Sequence, residues 1–332
     1  MSNESTSSST MDDHAYVAAV DLGATNLRAG IIDEEGKILE FSQKEVKDLT
    51  SAADIQLLIS DMILDLSRST GITPKAIGIS TAGPVDLKTG SVVGSPNMKC
   101  ERIFLTGPLQ ERFSIPVRMI TDCKAGVLGE YHFGGAKNAA TLVYLTFSTG
   151  IGAGVLDRGR LLCGSNGNAS EAGHFLVDTT WNLPCGCGGF GHWEAYASGT
   201  GIPNFFRVWS DDRIDCDPKP SMNAGQILYA AEHGSPLFCE FTDELAKING
   251  RGLSSVVAAY NPDLIVLDGP IVRNYPALIA KKMTEYTDHY LTTPEIRISA
   301  LEGKAPLLGA SVSAFKAVRM KESAGLMQKR ER

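Results

Sequence analysis

The stretch EAGHFLVDTTWNLPCGCGGFGHWE, residues 171–194, gathers two Cys, two His and two Glu into a few turns of chain. Cys185 and Cys187 flank a single Gly, His192 follows five residues later, and His174 lies eleven residues upstream of Cys185. Zinc takes four nitrogen or sulfur ligands in a tetrahedron, and short Cys/His spacings let one loop wrap it. Gly186, Gly188, Gly189 and Gly191 supply the tight backbone such a loop needs. The alternative is a glycine-rich loop with free thiols, but Cys-x-Cys-Gly has little packing value. A site of this size is structural, and it would hold Glu171, His174 and Glu194 in place. Two carboxylates and an imidazole beside one pocket suit a polyhydroxylated ligand, since each can bond to hydroxyls.

Two glycine turns carry a second kind of chemistry. One is Asp21-Leu22-Gly23-Ala24-Thr25, and the other runs Ser148-Thr149-Gly150-Ile151-Gly152-Ala153-Gly154. Inward-pointing amides in such turns cradle phosphate oxygens, the two Thr add hydroxyl donors, and Asp21 can hold hydrated Mg²⁺. Neither is a Walker A loop, because no Gly-Lys-Ser/Thr follows. The second is no dinucleotide fingerprint, since strand-like AGVLDRG follows it where a helix would be needed. Either turn alone could be a plain hairpin; one in each half of the chain is a pattern.

The elements around these turns define the fold class. Residues 15–20, 27–33 and 37–46 read as three strands of a meander. Residues 54–66 put Ile55, Leu58, Ile59, Met62, Ile63 and Leu66 on one helical face. Strands follow at 75–80 and 117–121, the latter stopping at Asp122 before a helix over 123–131. The second half opens with a strand, a glycine turn and a further hairpin over 141–164. A helix is expected over 194–206, a polar surface loop over 210–222, and helices over 223–232 and 236–260, the last broken at Gly250-Arg251-Gly252. Residues 263–267 form a buried strand, 275–290 a helix, 295–301 a strand and 307–320 the final helix. The halves echo each other, as in a mixed α/β protein.

The 332 residues suffice for two cores, and a formal charge of −7 argues against nucleic acid as the main partner. Seven Cys with no secretory signal point to reduced thiols and a cytoplasmic protein. No apolar run is long enough for a membrane span. Residues 1–13 are polar and Ser-rich and read as a disordered tail.

The stretches VDLGATNLRAGIID, IGISTAGPVD, GSPNM, TDCKAGVLGE, STGIGAGV, EAGH, CGCGGFGHWE and LIVLDG occur together, in order, over residues 15 to 320. This set resembles the ROK family of sugar kinases, within the hexokinase–actin–heat-shock ATPase superfamily. The resemblance implies a two-domain, actin-like (ribonuclease H-like) α/β ATPase fold with an interdomain cleft. It puts residues 14–126 and a returning C-terminal helix in one domain and 127–305 in the other. It implies ATP-dependent transfer of the γ-phosphoryl group to a hexose hydroxyl, on C6. Asn97, Asp122, Glu171, His174 and Glu194 match the family's sugar contacts, and Asp122 its catalytic base. Asp21, Gly23, Thr25, Thr149, Gly150, Gly152 and Gly269 match its ATP and Mg²⁺ positions. His174, Cys185, Cys187 and His192 would hold the structural Zn²⁺. Homodimers or homotetramers are implied too.

Three departures from the family pattern stand out. Thr121-Asp122-Cys123-Lys124 replaces Asn-Asp-Ala-Asn, so the base is kept while one sugar-contacting amide becomes a hydroxyl. His192 replaces a zinc-binding Cys, and His is a competent ligand. Ala82-Gly83-Pro84 replaces Pro-Gly-Pro, a tolerable change. Glucose leads as the acceptor, with N-acetylmannosamine and N-acetylglucosamine as alternatives. A non-catalytic, sugar-responsive regulator is the competing class. Regulators of this family carry a DNA-binding helix-turn-helix before the kinase-like part, for which the polar residues ahead of the first strand are too few.

Overall fold

The computed structural model describes residues 15–46, 48, 49, 51–94, 100–211, 213 and 221–330. The Ser-rich segment 1–13 lies outside the described residues. In chain order the elements are β1 (Val17–Leu22), β2 (Asn26–Ile32), β3 (Ile38–Glu45), α1 (Ala52–Thr70), β4 (Ile77–Thr81), β5 (Val85–Asp86), β6 (Ser91–Val93) and β7 (Arg102–Phe104). Next come α2 (Thr106–Phe113), β8 (Val117–Thr121), α3 (Asp122–Phe133), β9 (Thr141–Phe147), β10 (Ile151–Asp157), β11 (Arg160–Leu161), α4 (Glu194–Ala197) and α5 (Gly201–Trp209). The chain closes with α6 (Ala224–Glu232), α7 (Pro236–Tyr260), β12 (Leu264–Asp268), α8 (Pro270–Asn274), α9 (Lys282–Glu285), β13 (Glu295–Ile298) and α10 (Ala305–Arg330).

The two large sheets have the same plan. One runs β3-β2-β1-β4-β8 and the other β11-β10-β9-β12-β13. Each starts as an antiparallel meander and adds two parallel strands by crossovers. In both, the first hairpin turn is one of the glycine turns. The echo read from the sequence is therefore a repeated sheet.

Strand periodicity decides what covers each face. In β1, Ala18, Val20 and Leu22 join the core with α1, while Val17 and Ala19 face Ala310, Ala314 and Phe315 of α10. In β9, Val143, Leu145 and Phe147 pack on the core of Trp193, Phe205 and Phe241; Leu142 and Tyr144 pack on α3. α3 and α10 are thus the inner layer between the two sheets. They meet backbone to backbone: a Cβ on Gly309 would lie 1.7 Å from the Ala125 oxygen, and one on Gly129 2.2 Å from that of Ala305.

Several sequence expectations are corrected. α7 is continuous through Gly250 and Gly252. These glycines permit close packing, since a Cβ on Gly252 would sit 2.2 Å from the Trp193 ring and one on Gly250 2.5 Å from the Tyr286 oxygen. The helix expected over 194–206 is split into α4 and α5, because Gly199 N donates to the Ser148 oxygen at 2.7 Å. The helix expected to reach 290 ends at Glu285, and the final helix begins earlier and runs further than 307–320. The small sheet β5-β6-β7 and α2 lie where no element was read.

Glu130 of α3 is buried at 1% exposure and accepts a hydrogen bond from the Ser299 hydroxyl. Burial pushes its carboxyl from 4.5 up to about 7, with the Ser299 bond opposing and Asp268 adding to the rise. Between those values the folded state holds the proton that the unfolded chain has released, so stability falls as pH rises through that window. Glu130→Gln, which cannot titrate, should gain in melting temperature relative to the wild type on going from pH 5 to pH 8. A difference that stays constant with pH would count against this burial effect.

Candidate active site

Asp21 is the penultimate residue of β1, where its carboxylate is nearly buried and accepts from Ser80 Oγ at 2.9 Å. Burial raises it to about 6; the Ser80 bond opposes this, Asp122 adds to the rise, and Arg28, 3.5 Å away, opposes it. Arg28 stands opposite Asp21 in the β1–β2 register. Gly23 and Thr25 form the turn between those strands, closed by Gly23 N donating to the Asn26 oxygen at 2.9 Å. Its counterpart between β9 and β10 is closed by Ser148 N on the Gly150 oxygen, also at 2.9 Å.

The two turns face one cavity of about 390 Å³, lined by Asp21, Thr25, Thr149 and Gly269 among others. Gly269, at φ +96°, brings β12 so close to β9 that a Cβ would meet the Phe147 oxygen at 2.2 Å. Asp268 cannot serve as a free ligand there. It already accepts from Tyr144 Oη at 2.9 Å and Gly269 N at 2.6 Å, and pairs with Arg273 at 3.1 Å. Asp21 and Asp122 are left as the carboxylates lining this cavity, and Asp21 supplies a hard oxygen of the kind Mg²⁺ takes. A dication there fits the chemistry, because Asp21 and Asp122 repel each other's charge.

Asp122 opens α3, with Thr121 as the residue before it and Cys123 N donating to its Oδ1 at 2.7 Å. Its carboxyl is held above the usual range by burial, against the Cys123 amide and Lys124, which favour the charge. It lines the cavity between the glycine turns and also a second one of about 540 Å³. Glu171, His174 and Glu194 line that second cavity with Thr121 and Gly152. Glu171 precedes a short 3-10 turn, Ala172–His174, and its carboxyl is raised by burial and lowered by Lys124. Glu194 starts α4 and accepts from Ile151 N at 3.3 Å and from the Cys185 thiol at 3.4 Å. It thereby ties the Cys/His loop to the β9–β10 turn, and Gly150 leaves room for it: a Cβ would lie 2.6 Å from Glu194 Oε2.

The donor atoms of His174, Cys185, Cys187 and His192 all lie within 4.8 Å of one another. Cys185 Sγ is 3.7 Å from His174 Nδ1, and Cys187 Sγ is 3.2 Å from His192 Nδ1. A tetrahedral zinc with ordinary Zn–S and Zn–N bonds would separate sulfur from nitrogen by roughly 3.6 Å. Two thiols and two imidazoles at that spacing fit zinc and disfavour the hard cations. Bridges between Leu176 and His192 and between Pro184 and Phe190 shape the loop.

The structure brings together every site residue expected from the sequence except Asn97, which lies outside the described residues. Sequence reasoning missed Arg28, Arg273 and Lys124. The hairpin register would have placed Arg28 beside Asp21. The local trace of Lys124 was its departure from Asn in the family pattern; its burial was not legible, since lysine is ordinarily a surface residue.

The sequence profile of the ROK family matches residues 17–316. A glucokinase of Pyrobaculum calidifontis is 33% identical over 305 residues, 91% of this chain and 96% of that protein. The crystal structure of a ROK hexokinase from Thermus thermophilus superposes with TM-score 0.78 at 28% identity, covering 92% of this chain and 99% of the other. A ROK family glucokinase from Streptomyces griseus, in complex with glucose and AMPPNP, gives TM-score 0.76 at 28% identity, covering 91% and 100%.

Proposed function

The chain belongs to the ROK family, and we propose that it is an ATP-dependent glucokinase that moves the γ-phosphoryl group of ATP to the C6 hydroxyl of glucose. One observation carries the reading: Asp122 lies in the wall of both cavities, the one facing the glycine turns and the one holding the carboxylates. A donor phosphate in the first and an acceptor hydroxyl in the second would meet at that side chain.

Phosphoryl transfer asks mainly for positioning and charge neutralisation. The free amides and threonine hydroxyls of the turns around Gly23 and Thr25 and around Thr149 and Gly150 would cradle the phosphates, with Gly152 and Gly269 keeping the backbone beside them open. Asp21 would hold Mg²⁺, which neutralises phosphate charge when bound. Glu171, His174 and Glu194, with Asn97, would take the remaining sugar hydroxyls and aim O6 at the γ-phosphate. Asp122 would accept the O6 proton as the bond to phosphorus forms. His174 would serve twice, through Nδ1 toward zinc and through the remaining ring nitrogen toward sugar.

Cys123, Cys163, Cys185, Cys187 and Cys239 form no disulfide, in keeping with a protein working in the reducing cytoplasm. Two domains, 14–126 with α10 and 127–305, would close over the sugar, and the family resemblance favours a homodimer or homotetramer. Among the described residues no helix is long and apolar enough to cross a membrane. A coupled ADP-release assay over hexoses and N-acetylhexosamines tests the reading. Glucose should give the highest kcat/KM. A clear preference for N-acetylmannosamine or N-acetylglucosamine would move the assignment to an N-acetylhexosamine kinase, and no sugar-dependent turnover would favour a regulator.

A further inference from the structure

Lys124 is a core residue, 3% exposed, two positions after Asp122 on α3. Burying an ammonium is costly unless its charge and its donors are met. Its Nζ donates to the Ala169 carbonyl at 2.9 Å and to Thr121 Oγ1 at 3.3 Å. Both partners are neutral. The charge is met by the carboxylates of Asp122 and Glu171, each of which feels the ammonium.

Thr121, Asp122 and Glu171 line the sugar-side cavity, so the ammonium stands behind its wall and reaches that face through them. Its hydrogen bond to Ala169 spans 45 positions of sequence and joins the start of α3 to the loop that carries Glu171. The loop needs such a clamp: Ser170, between Ala169 and Glu171, holds a left-handed φ of +72°, which a non-glycine residue adopts only when its surroundings enforce it. The bond to Thr121 has a second effect. A hydroxyl oxygen that accepts from an ammonium keeps its own hydrogen free to donate elsewhere, and Thr121 borders the cavity.

We propose that Lys124 is a positioning residue for the acceptor sugar: its buried ammonium clamps the Glu171 loop to the β8–α3 junction and sets Thr121 and Glu171 at a fixed spacing around the sugar hydroxyls. The inference rests on the sugar-kinase reading above. It concerns a residue that does not touch sugar, so its effect should fall on sugar affinity and spare the nucleotide.

Lys124→Met keeps the length and bulk of the side chain and removes both charge and donors. The KM for glucose should rise roughly 10–100-fold, the usual cost of a lost hydrogen bond from a charged group. The glucose Kd from calorimetry without ATP should weaken by a similar factor, while the KM for ATP stays within about two-fold. Lys124→Gln, which keeps an uncharged donor, should fall between Met and wild type. A Met variant with glucose KM and Kd within two-fold of wild type overturns the proposal. So does a parallel loss of glucose and ATP affinity with a lowered melting temperature, because that marks a role in folding alone. Wild-type turnover with glucose is measured in the same assay. Its absence would sink the glucokinase reading, and the comparison would then use the best sugar of the panel.

Discussion

Asp122→Asn is expected to lower kcat by about 10²–10⁴-fold, the range that positioned general-base catalysis contributes, while the glucose KM changes only a few-fold. The substitution is a clean one in this fold. Asn keeps the side-chain oxygen that accepts from Cys123 N at 2.7 Å, so the start of α3 should form as before. The amide can still bond to a sugar hydroxyl, which preserves binding, but it cannot take up the O6 proton. A loss confined to kcat marks an interaction made in the transition state. If the side chain served only the helix start, Asn would do nearly as well, and turnover would stay near normal. The pH profile supplies a second readout. Burial lifts the Asp122 carboxyl above the usual carboxylate range, so wild-type kcat should fall with acidification at a pH higher than an exposed aspartate would give. The Asn variant, having no such group, should lose that limb. Near-normal turnover by the variant would remove Asp122 from the base role.

Removal of zinc should have the next largest effect. Protein purified without added metal should carry about one zinc per chain, and Cys185→Ser or a strong chelator should release it. Structural zinc contributes apparent energies of about 10–16 kcal/mol in zinc-finger peptides. Losing even about 3 kcal/mol of that would lower the melting temperature by roughly 6–12 °C, at roughly 2–4 °C per kcal/mol for a domain of this size. Activity should suffer as well, through the residues the loop supports. Glu194 lies two positions after the ligand His192 and accepts from Ile151 N, and His174 both faces Cys185 and borders the cavity that Glu171 and Glu194 line. The glucose KM should therefore rise before the protein unfolds. A metal-free protein with unchanged stability and glucose KM would refute the zinc site.

The parts of this protein that are local in sequence were legible in the sequence. Cys185 and Cys187 are two positions apart, so one tight loop must bring their sulfurs together whatever surrounds it. The turns at Gly23 and Gly150 join strands adjacent in the chain, and β1, β9 and β12 announce themselves as apolar runs. Asp122 stands at a strand end because a charged residue closes such a run. Where an element is short or its fate rests on distant partners, the chain alone was silent or misleading. β5, β6 and β7 have two or three residues each, too few for a period to register. Gly250 and Gly252 look like a helix break until Tyr286 and Trp193 are seen packed against them. Gly199 breaks a helix because it docks on Ser148, some fifty residues earlier in the chain. Lys124 looks like a surface residue until the Glu171 loop folds over it and two carboxylates meet its charge. Spacing specifies which groups can meet when the chain between them is short. When it is long, packing decides, because burial, close approach and buried charge pairs depend on what arrives from elsewhere.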